Sequence, residues 1–336
     1  MNNHPCISIV VPCFNCENTL AETIECVLHQ TYKNWELCCV DDGSSDNTVD
    51  IISSYSNKDS RVKLFIRNYG MKGGSACRNI GIEAATGTYV MFLDSDDLLS
   101  GNCLERRLLY ALENDCDFLV FPYGTFVHSI EDAQSHPIAT NNPEYFFVAS
   151  MGGWIITSSL FKRSFIQSIG AFDQSFSRLQ DVEMHLRSLT SPGVSYKVFN
   201  TLSPDCFYRS FECGYSLDKL QRSIPAYSNF FKLVEKLILD NRLPNRQCFV
   251  WAVIVLYGNL SMIRYKLWKS GIRESFSFLF KSSIIEQRLN VLCVWVLYYL
   301  NRDYKGGVLG AYIQYRMSWL VFVLAQRRLR KITFPV

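Results

Sequence analysis

An α/β fold, with a doubly wound and mostly parallel sheet, helices on both faces and a helical C-terminal region, is what this 336-residue sequence predicts. Three observations carry that prediction. Over the first 125 residues short β-rich runs alternate with helical patterns, the arrangement required by parallel strands joined by helical crossovers. Polar residues gather where three of the runs end, at Pro12 to Asn15, at Asp41 and Asp42, and at Asp94 to Asp97. From about Leu217 onward the chain reads as helices alone, several of them strongly apolar.

The elements follow in order. CISIVV at 6–11 is the first strand, and TLAETIECVLHQ then places Leu20, Ile24, Val27 and Leu28 on one helical face. WELCCVDD is the second strand, and SDNTVDIISSY a helix with Asp46 at its N-cap. RVKLFIR makes a third strand and is followed by a helix from about Ser75 to Ala85. TYVMFLD is the fourth strand, CLERRLLYALEN the next helix and DFLVFPY the fifth strand. Beyond Thr125 the alternation gives way to a loop-rich stretch with Pro137, Pro143, Gly152 and Gly153. Helix-like segments return at SLFKRSFIQSIG and RLQDVEMHLRSL. The expected division is a domain at 1–216, with halves that meet at about 125–126, then a helical region at 217–336.

Length allows about two domains with a substantial core. The 13 cysteines are scattered, with no second Cys-x-x-C to complete a zinc set, and no basic-then-apolar leader opens the chain, so a reducing cytoplasm is the expected compartment. A net charge of +3 is too small to argue for nucleic acid as a partner. Its distribution is uneven: Lys305, Arg316, Arg327, Arg328, Arg330 and Lys331 lie in a final stretch that holds no acid. That asymmetry suits an anionic surface. The apolar runs FVWAVIVLYGNLSM and NVLCVWVLYYL, of 14 and 11 residues, are too short for helices that cross a bilayer. Peripheral contact with the inner face of a membrane, a helical core and a dimer interface all fit this tail.

The chemistry concentrates in FLDSDDLL at 92–99. Asp94 and Asp96, two residues apart, face one cavity if strand geometry persists that far, and two carboxylates aimed at one spot repel unless a cation lies between them. Mg²⁺ or Mn²⁺ suits such oxygen ligands and leaves positions for a diphosphate. The bland alternative is a pair of solvated turn acids ahead of the helix near Asn102. VDDGSSDNT at 40–48 repeats the pattern at the neighbouring strand end, where Asp41 or Asp42 can accept a hydrogen bond from a base N–H. Cys13 and Cys16 have thioredoxin-like spacing ahead of a helix, which keeps a dithiol oxidoreductase open at this point.

Taken in order, VVPCFN, VDDGSSDNT, GGSACRNIGIEAATGTYVMFLDSDD and GAFDQSFSRLQDVEMHLR resemble the conserved segments of glycosyltransferase family 2, over about residues 6–216. The resemblance implies a GT-A fold and an inverting, metal-dependent transferase using a nucleotide sugar, a UDP-sugar by expectation. The acceptor it implies is a surface polysaccharide or a lipid-linked glycan. It makes Pro12, Phe14 and Asn15 the functional letters of the first loop and leaves Cys13 and Cys16 incidental. Carried over by motif, Pro12, Phe14, Asn15, Asp41, Asp42, Arg78, Asn79, Asp94 and Ser95 bind the nucleotide sugar, while Asp94 and Asp96 bind Mg²⁺ or Mn²⁺. Asp97 is expected to cap the following helix. Where the family has Glu-Asp this chain has Gln180 and Asp181, and Asp181 is the expected catalytic base. If the base were the first letter, Gln180 could not act, and the chain would be a non-catalytic sugar-nucleotide-binding homologue. His185, one turn beyond Asp181, reads as structural, and Arg187 as a helix anchor. Trp154 suits either a sugar platform or the core. CFYRS at 206–210 resembles a late strand from which Tyr208 and Arg209 approach a diphosphate.

Overall fold

The computed structural model describes residues 5–136, 138, 154–210 and 224–243. Pro137, Pro143, Gly152, Gly153 and the apolar and basic tail from 244 lie outside the described residues. The chain divides into two compact units, Met1–Cys248 and Phe249–Val336.

Its strands are β1 (Ile7–Cys13), β2 (Trp35–Asp41), β3 (Val62–Ile66), β4 (Tyr89–Phe92), β5 (Leu98–Leu99), β6 (Phe118–Val120), β7 (Tyr123–Phe126), β8 (Gln134–His136), β9 (Ser159–Lys162), β10 (Tyr196–Val198) and β11 (Cys206–Arg209). The helices are α1 (Leu20–Leu28), α2 (Thr48–Ser56), α3 (Gly74–Ala84), α4 (Cys103–Asn114), α5 (Arg163–Ser168), α6 (Gln180–Leu189) and α7 (Ile224–Leu239). Among these none is long and apolar enough to cross a membrane.

A seven-stranded sheet runs in the order β10-β6-β9-β4-β1-β2-β3. Strands β1, β2, β3 and β4 pair in parallel, Ile7 lying opposite both Trp35 and Tyr89. Every residue of β2 and of β4 is buried, as expected of strands covered on both faces. The chain winds outward from β1 through β2 to β3, then returns to place β4 on the other side of β1. A crevice opens at such a reversal, beyond the carboxyl ends of the strands. A second sheet, β5-β11-β7-β8, stands beside it.

Three expectations are corrected. SLFKRSFIQSIG is β9 followed by α5, and β9 runs antiparallel between β4 and β6. Ser159, Leu160 and Phe161 are all buried between those neighbours, which draw an apolar run into the sheet despite its helical spacing. DFLVFPY is broken at Pro122, so that β6 joins the large sheet and β7 the small one. Asp46 lies one residue ahead of the N-cap position, Asn47, yet its Oδ1 still accepts the Thr48 N–H at 3.1 Å.

Two packing features hold the elements that carry the polar strand ends. Arg107 on α4 is fully buried, donating to both oxygens of Asp205 at 3.1 and 2.6 Å and to the Thr157 carbonyl at 2.7 Å. Helix α3 crosses β1 at Gly81, where an added Cβ would come within 2.2 Å of Val10 Cγ1. Gly81→Ala gains about 1 kcal/mol of helix propensity, but the overlap forces α3 off the sheet at a cost of about 3 kcal/mol. Urea unfolding should therefore show a net loss of about 2 kcal/mol. A variant as stable as the parent would show that α3 is not seated there.

Candidate functional site

The polar loops after β1, β2 and β4 meet at the crevice, joined by the first turns of α3 and α6 and by the end of β11. Loops one and two are laced together by backbone donors. Asn15, in the left-handed region at φ +47° as asparagine tolerates, takes the Ser45 N–H on its Oδ1 at 2.9 Å and gives its own N–H to Ser44 Oγ at 3.0 Å. Cys16 N–H goes to Thr48 Oγ1 at 2.9 Å, and Glu17 Oε2 receives the Asn47 side-chain amide at 2.7 Å. Pro12 is half-buried at the end of β1, and Phe14 is 53% exposed with Lys72 Nζ 5.7 Å from its ring centre.

Asp41 and Asp42 both have structural work. Asp41 Oδ2 accepts the N–H groups of Gly43 and Ser44 at 2.9 and 3.1 Å, closing the turn that Gly43 permits at φ +84°. Asp42 pairs with Arg67 and accepts the Gly73 N–H at 3.0 Å, fixing the entry to α3. A carboxylate keeps further lone pairs, so contact with a base would be added to these roles. Arg67 escaped the sequence reading; a basic residue ending the third strand beside an Asp-Asp pair was its only signal.

At the end of β4, Asp94 to Asp97 crowd together. Asp94, its side chain 35% exposed, receives Arg78 Nη2 at 2.5 Å. Thr19 Oγ1 donates to the Ser95 carbonyl at 2.9 Å, tying the loop after β4 to that after β1. Asp96 is half-buried and has no ion-pair partner among the described residues; burial and then the charge of Asp94 push its carboxyl above the ordinary range. Asp97 does not cap α4. It is 1% exposed, accepting the Arg209 N–H at 3.0 Å and the Thr157 hydroxyl at 3.3 Å, and burial with its two acidic neighbours drives its carboxyl well upward. Arg209 also donates to the Asp96 carbonyl at 2.8 Å and pairs with Glu22 at 2.5 Å, so its guanidinium braces this loop. Tyr208 beside it is 42% exposed.

Buried Arg78 joins the two halves of the site. Besides Asp94 it reaches Gln180 Oε1 through Nη1 at 2.5 Å, and it lies over the Phe172 ring at 5.5 Å. Asn79 ties α3 to the segment ahead of α6, its amide donating to the Phe172 carbonyl at 2.9 Å and accepting the Phe172 N–H at 2.8 Å. Asp181, second residue of α6, takes the Val182 N–H at 2.9 Å. Burial raises its carboxyl above the ordinary aspartate range, opposed by that N–H and by Arg78 and reinforced by Asp94. Tyr123 on β7 feels the Asp181 charge, which with burial lifts its phenol. The acids at the end of β4 and at the start of α6 therefore share one electrostatic environment.

The residues with bland alternatives take them. His185 is fully buried, with Nε2 2.7 Å from Ser159 Oγ, among the Trp154 and Phe161 rings, and burial lowers it to about 3. Trp154 is 1% exposed and belongs to the core. Arg187 pairs with Glu183 at 2.5 Å and donates to the Ile169 carbonyl at 2.5 Å, anchoring α6.

Among the described residues no group of three or more His, Cys, Asp or Glu side chains is arranged to hold a metal ion. A hard divalent cation needs only one or two carboxylates when a diphosphate supplies its remaining oxygens. With Asp94 engaged by Arg78, Asp96 is the acid without an ion pair among the described residues that is open to that contact. The donor set fits the group.

The fold is that of the GT-A glycosyltransferases. The profile described as Glycosyl transferase family 2 matches residues 8–165. Bacillus subtilis glycosyltransferase EpsE is 32% identical over 190 residues, spanning 56% of this chain and 68% of that protein. The Escherichia coli UDP-Glc:alpha-D-GlcNAc-diphosphoundecaprenol beta-1,3-glucosyltransferase WfgD is 42% identical over 120 residues, 36% of this chain and 45% of the relative. Among solved structures, S. aureus TarS 1–349 in complex with UDP-GlcNAc superposes with a TM-score of 0.62 at 18% identity, covering 81% of this chain and 80% of TarS. The mannosyltransferase PcManGT of Pyrobaculum calidifontis, solved with GDP-Man and Mn²⁺, gives 0.51 at 13% identity over 96% of this chain and 81% of its own. The chain belongs to glycosyltransferase family 2. It spans about half the length of several curated relatives it matches, from 40% to 59%.

The Cys-x-x-C pair sits inside this site. Cys13 is buried and its thiol is raised by the hydrogen bonds it donates toward Cys16 and Cys39 and by burial. Cys16 is lowered to about 6, the Cys13 thiol outweighing burial and Ser95 and Thr48 adding to it. Iodoacetamide at pH 7 should label Cys16 ahead of the other described thiols, with a rate that rises around pH 6. Sugar transfer should survive Cys13→Ser; its loss there, with the fold intact, would restore the oxidoreductase reading.

Proposed function

We propose that this protein is an inverting glycosyltransferase that moves a sugar from a UDP-sugar to a hydroxyl of a surface-polysaccharide or lipid-linked glycan acceptor. The observation that carries the reading is the shared placement of the acids after β4 and Asp181 around Arg78. The E. coli relative acts, by its name, from a UDP-glucose donor on a diphosphoundecaprenol-linked sugar, and the TarS fold was solved with UDP-GlcNAc. On this reading the protein works at the cytoplasmic face of the membrane, with the basic stretch at 305–331 drawn to anionic lipid.

Pro12, Phe14, Asn15, Asp41 and Asp42 line the base and ribose end of the donor, and Arg78, Asp94 and Ser95 its diphosphate and sugar end. Asp96, with Asp94 beside it, holds Mg²⁺ or Mn²⁺, which when bound neutralises charge on the leaving nucleoside diphosphate. Asp181 takes the proton of the acceptor hydroxyl, and the oxygen forms its bond to the anomeric carbon as the bond to the diphosphate oxygen breaks on the opposite face. Configuration at that carbon inverts. Because Asp181 must be ionised to act and its carboxyl is raised, the acid limb of kcat should fall above the pH at which an ordinary aspartate titrates.

A screen of nucleotide sugars with Mn²⁺ identifies the donor, and two substitutions then test the assignment. Asp181→Asn should lower kcat by at least about 1,000-fold while UDP binding persists. Asp96→Ala should abolish the Mn²⁺-dependent part of UDP binding and of transfer. Full activity in either variant refutes the corresponding role. Donor binding without turnover in the parent protein identifies a non-catalytic homologue instead.

A further inference from the structure

Gln180 replaces the acid expected at this place, and the structure gives it a task that an acid is not needed for. Its Oε1 accepts Arg78 Nη1 at 2.5 Å while Arg78 Nη2 reaches Asp94, also at 2.5 Å. One planar guanidinium thus spans from the end of β4 to the start of α6, residues 86 positions apart in the chain if counted from Asp94 to Gln180 (180 − 94). The third nitrogen, Nε, is buried with no hydrogen-bond partner among the described residues, so the two Nη contacts, with the Phe172 ring beneath, orient the group. The pair lies against the first turn of α3, where a Cβ on Gly74 would come 2.9 Å from Arg78 Nη1 and 3.0 Å from Gln180 Oε1. On the other side Gln180 Nε2 donates to the Ser177 carbonyl at 3.4 Å, and Leu179, in the left-handed region at φ +60°, turns the chain into α6 immediately before it. A non-glycine residue in that region carries about 1 kcal/mol of strain, so the turn needs a contact that holds it. An amide meets the need by accepting one hydrogen bond without adding a further negative charge beside Asp94, Asp96, Asp97 and Asp181.

We propose that Gln180 is a positioning residue that acts through Arg78, tethering the start of α6, and with it Asp181, to the donor-side acid Asp94. The inference rests on the transferase reading for its consequence in catalysis. On this account the departure from Glu-Asp is a neutral tether, and it does not mark a dead enzyme. Losing it leaves the Arg78–Asp94 ion pair in place, so donor binding persists while the base drifts from its distance to the reacting carbon.

The test is a double-mutant cycle on the full chain with Gln180→Leu, Arg78→Ala and the double variant beside the parent. The readouts are UDP binding with Mn²⁺ by calorimetry, kcat and donor KM, and thermal unfolding. Gln180→Leu should lower kcat by about 10- to 100-fold, as a displacement of the order of 1 Å would, with UDP affinity changed less than about 3-fold. The double variant should be no worse than Arg78→Ala alone, since a residue acting through another adds nothing once that other is gone. Parent-like kcat in Gln180→Leu, or losses that add in full, overturns the proposal. A parent protein that neither binds UDP nor transfers any sugar overturns the transferase reading instead. In that event the unfolding temperatures of the same four proteins decide the tether, and fully additive losses sink it.

Discussion

Four residues in a row after β4 include three carboxylates partly or wholly withdrawn from water, and most of the site can be understood as the answer to that crowding. Like charges this close raise one another's pKa and favour neutralisation unless cations or hydrogen-bond donors face them. Asp94 is answered by Arg78, and Asp97 by the Arg209 N–H and the Thr157 hydroxyl. Asp96 has its carbonyl answered by Arg209, while its carboxylate has only its own backbone N–H and the more distant Arg209 charge, too little to offset burial and Asp94. The acid left without an ion pair among the described residues is the one on which a divalent cation would act most strongly, and the pairing of its neighbours is what singles out that side chain.

The compensating groups come from distant parts of the chain, which explains why the scaffold has to be rigid around them. Thr157 precedes β9, Arg209 ends β11 and Arg78 rides on α3. Arg107, wholly buried, donates to the Thr157 carbonyl and to Asp205, thereby fixing the segments that present Thr157 and Arg209. Removing one partner of a buried pair of this kind costs about 3–5 kcal/mol, because the other is left charged in the interior. Gly81 does the same service for Arg78 by letting α3 approach β1 closely. Packing energy far from the crevice is thus converted into the placement of charges within it.

The parallel half of the sheet was legible in the sequence because strands buried on both faces read as continuous apolar runs, and because acids placed directly after such runs have few places to go but the carboxyl edge. The loops after β1, β2 and β4 were found on that ground. What escaped were features set by contacts across long stretches of chain. β9 has helical spacing and becomes a strand only because β4 and β6 offer it two ladders. Asp97 lies five residues ahead of Asn102, the N-cap of α4, and its partners lie 60 and 112 residues away. Asn79 is next to Arg78 on α3, and its amide bonds Phe172, 93 residues away. No local pattern encodes any of these.

Asp181 and His185 show most directly how surroundings decide role. They lie one turn apart on α6, His185 wholly and Asp181 partly withdrawn from water, and burial moves both pKa values in the direction that favours the neutral form. For His185 the surroundings are the Ser159 hydroxyl, the Trp154 and Phe161 rings and the backbone of Asp181, whose hydrogen bond favours the charged ring but is outweighed by burial, so the ring stays neutral as part of the core. For Asp181 the neighbours include the Arg78 guanidinium, which pulls back toward the charged form, and Asp94, which opposes it. A carboxyl balanced between those influences is poised to gain and lose a proton, whereas a histidine in an aromatic box is not. The distinction between a residue that titrates in function and one that merely packs rests on that difference in company, and it is α3 and β4, not α6 itself, that supply it.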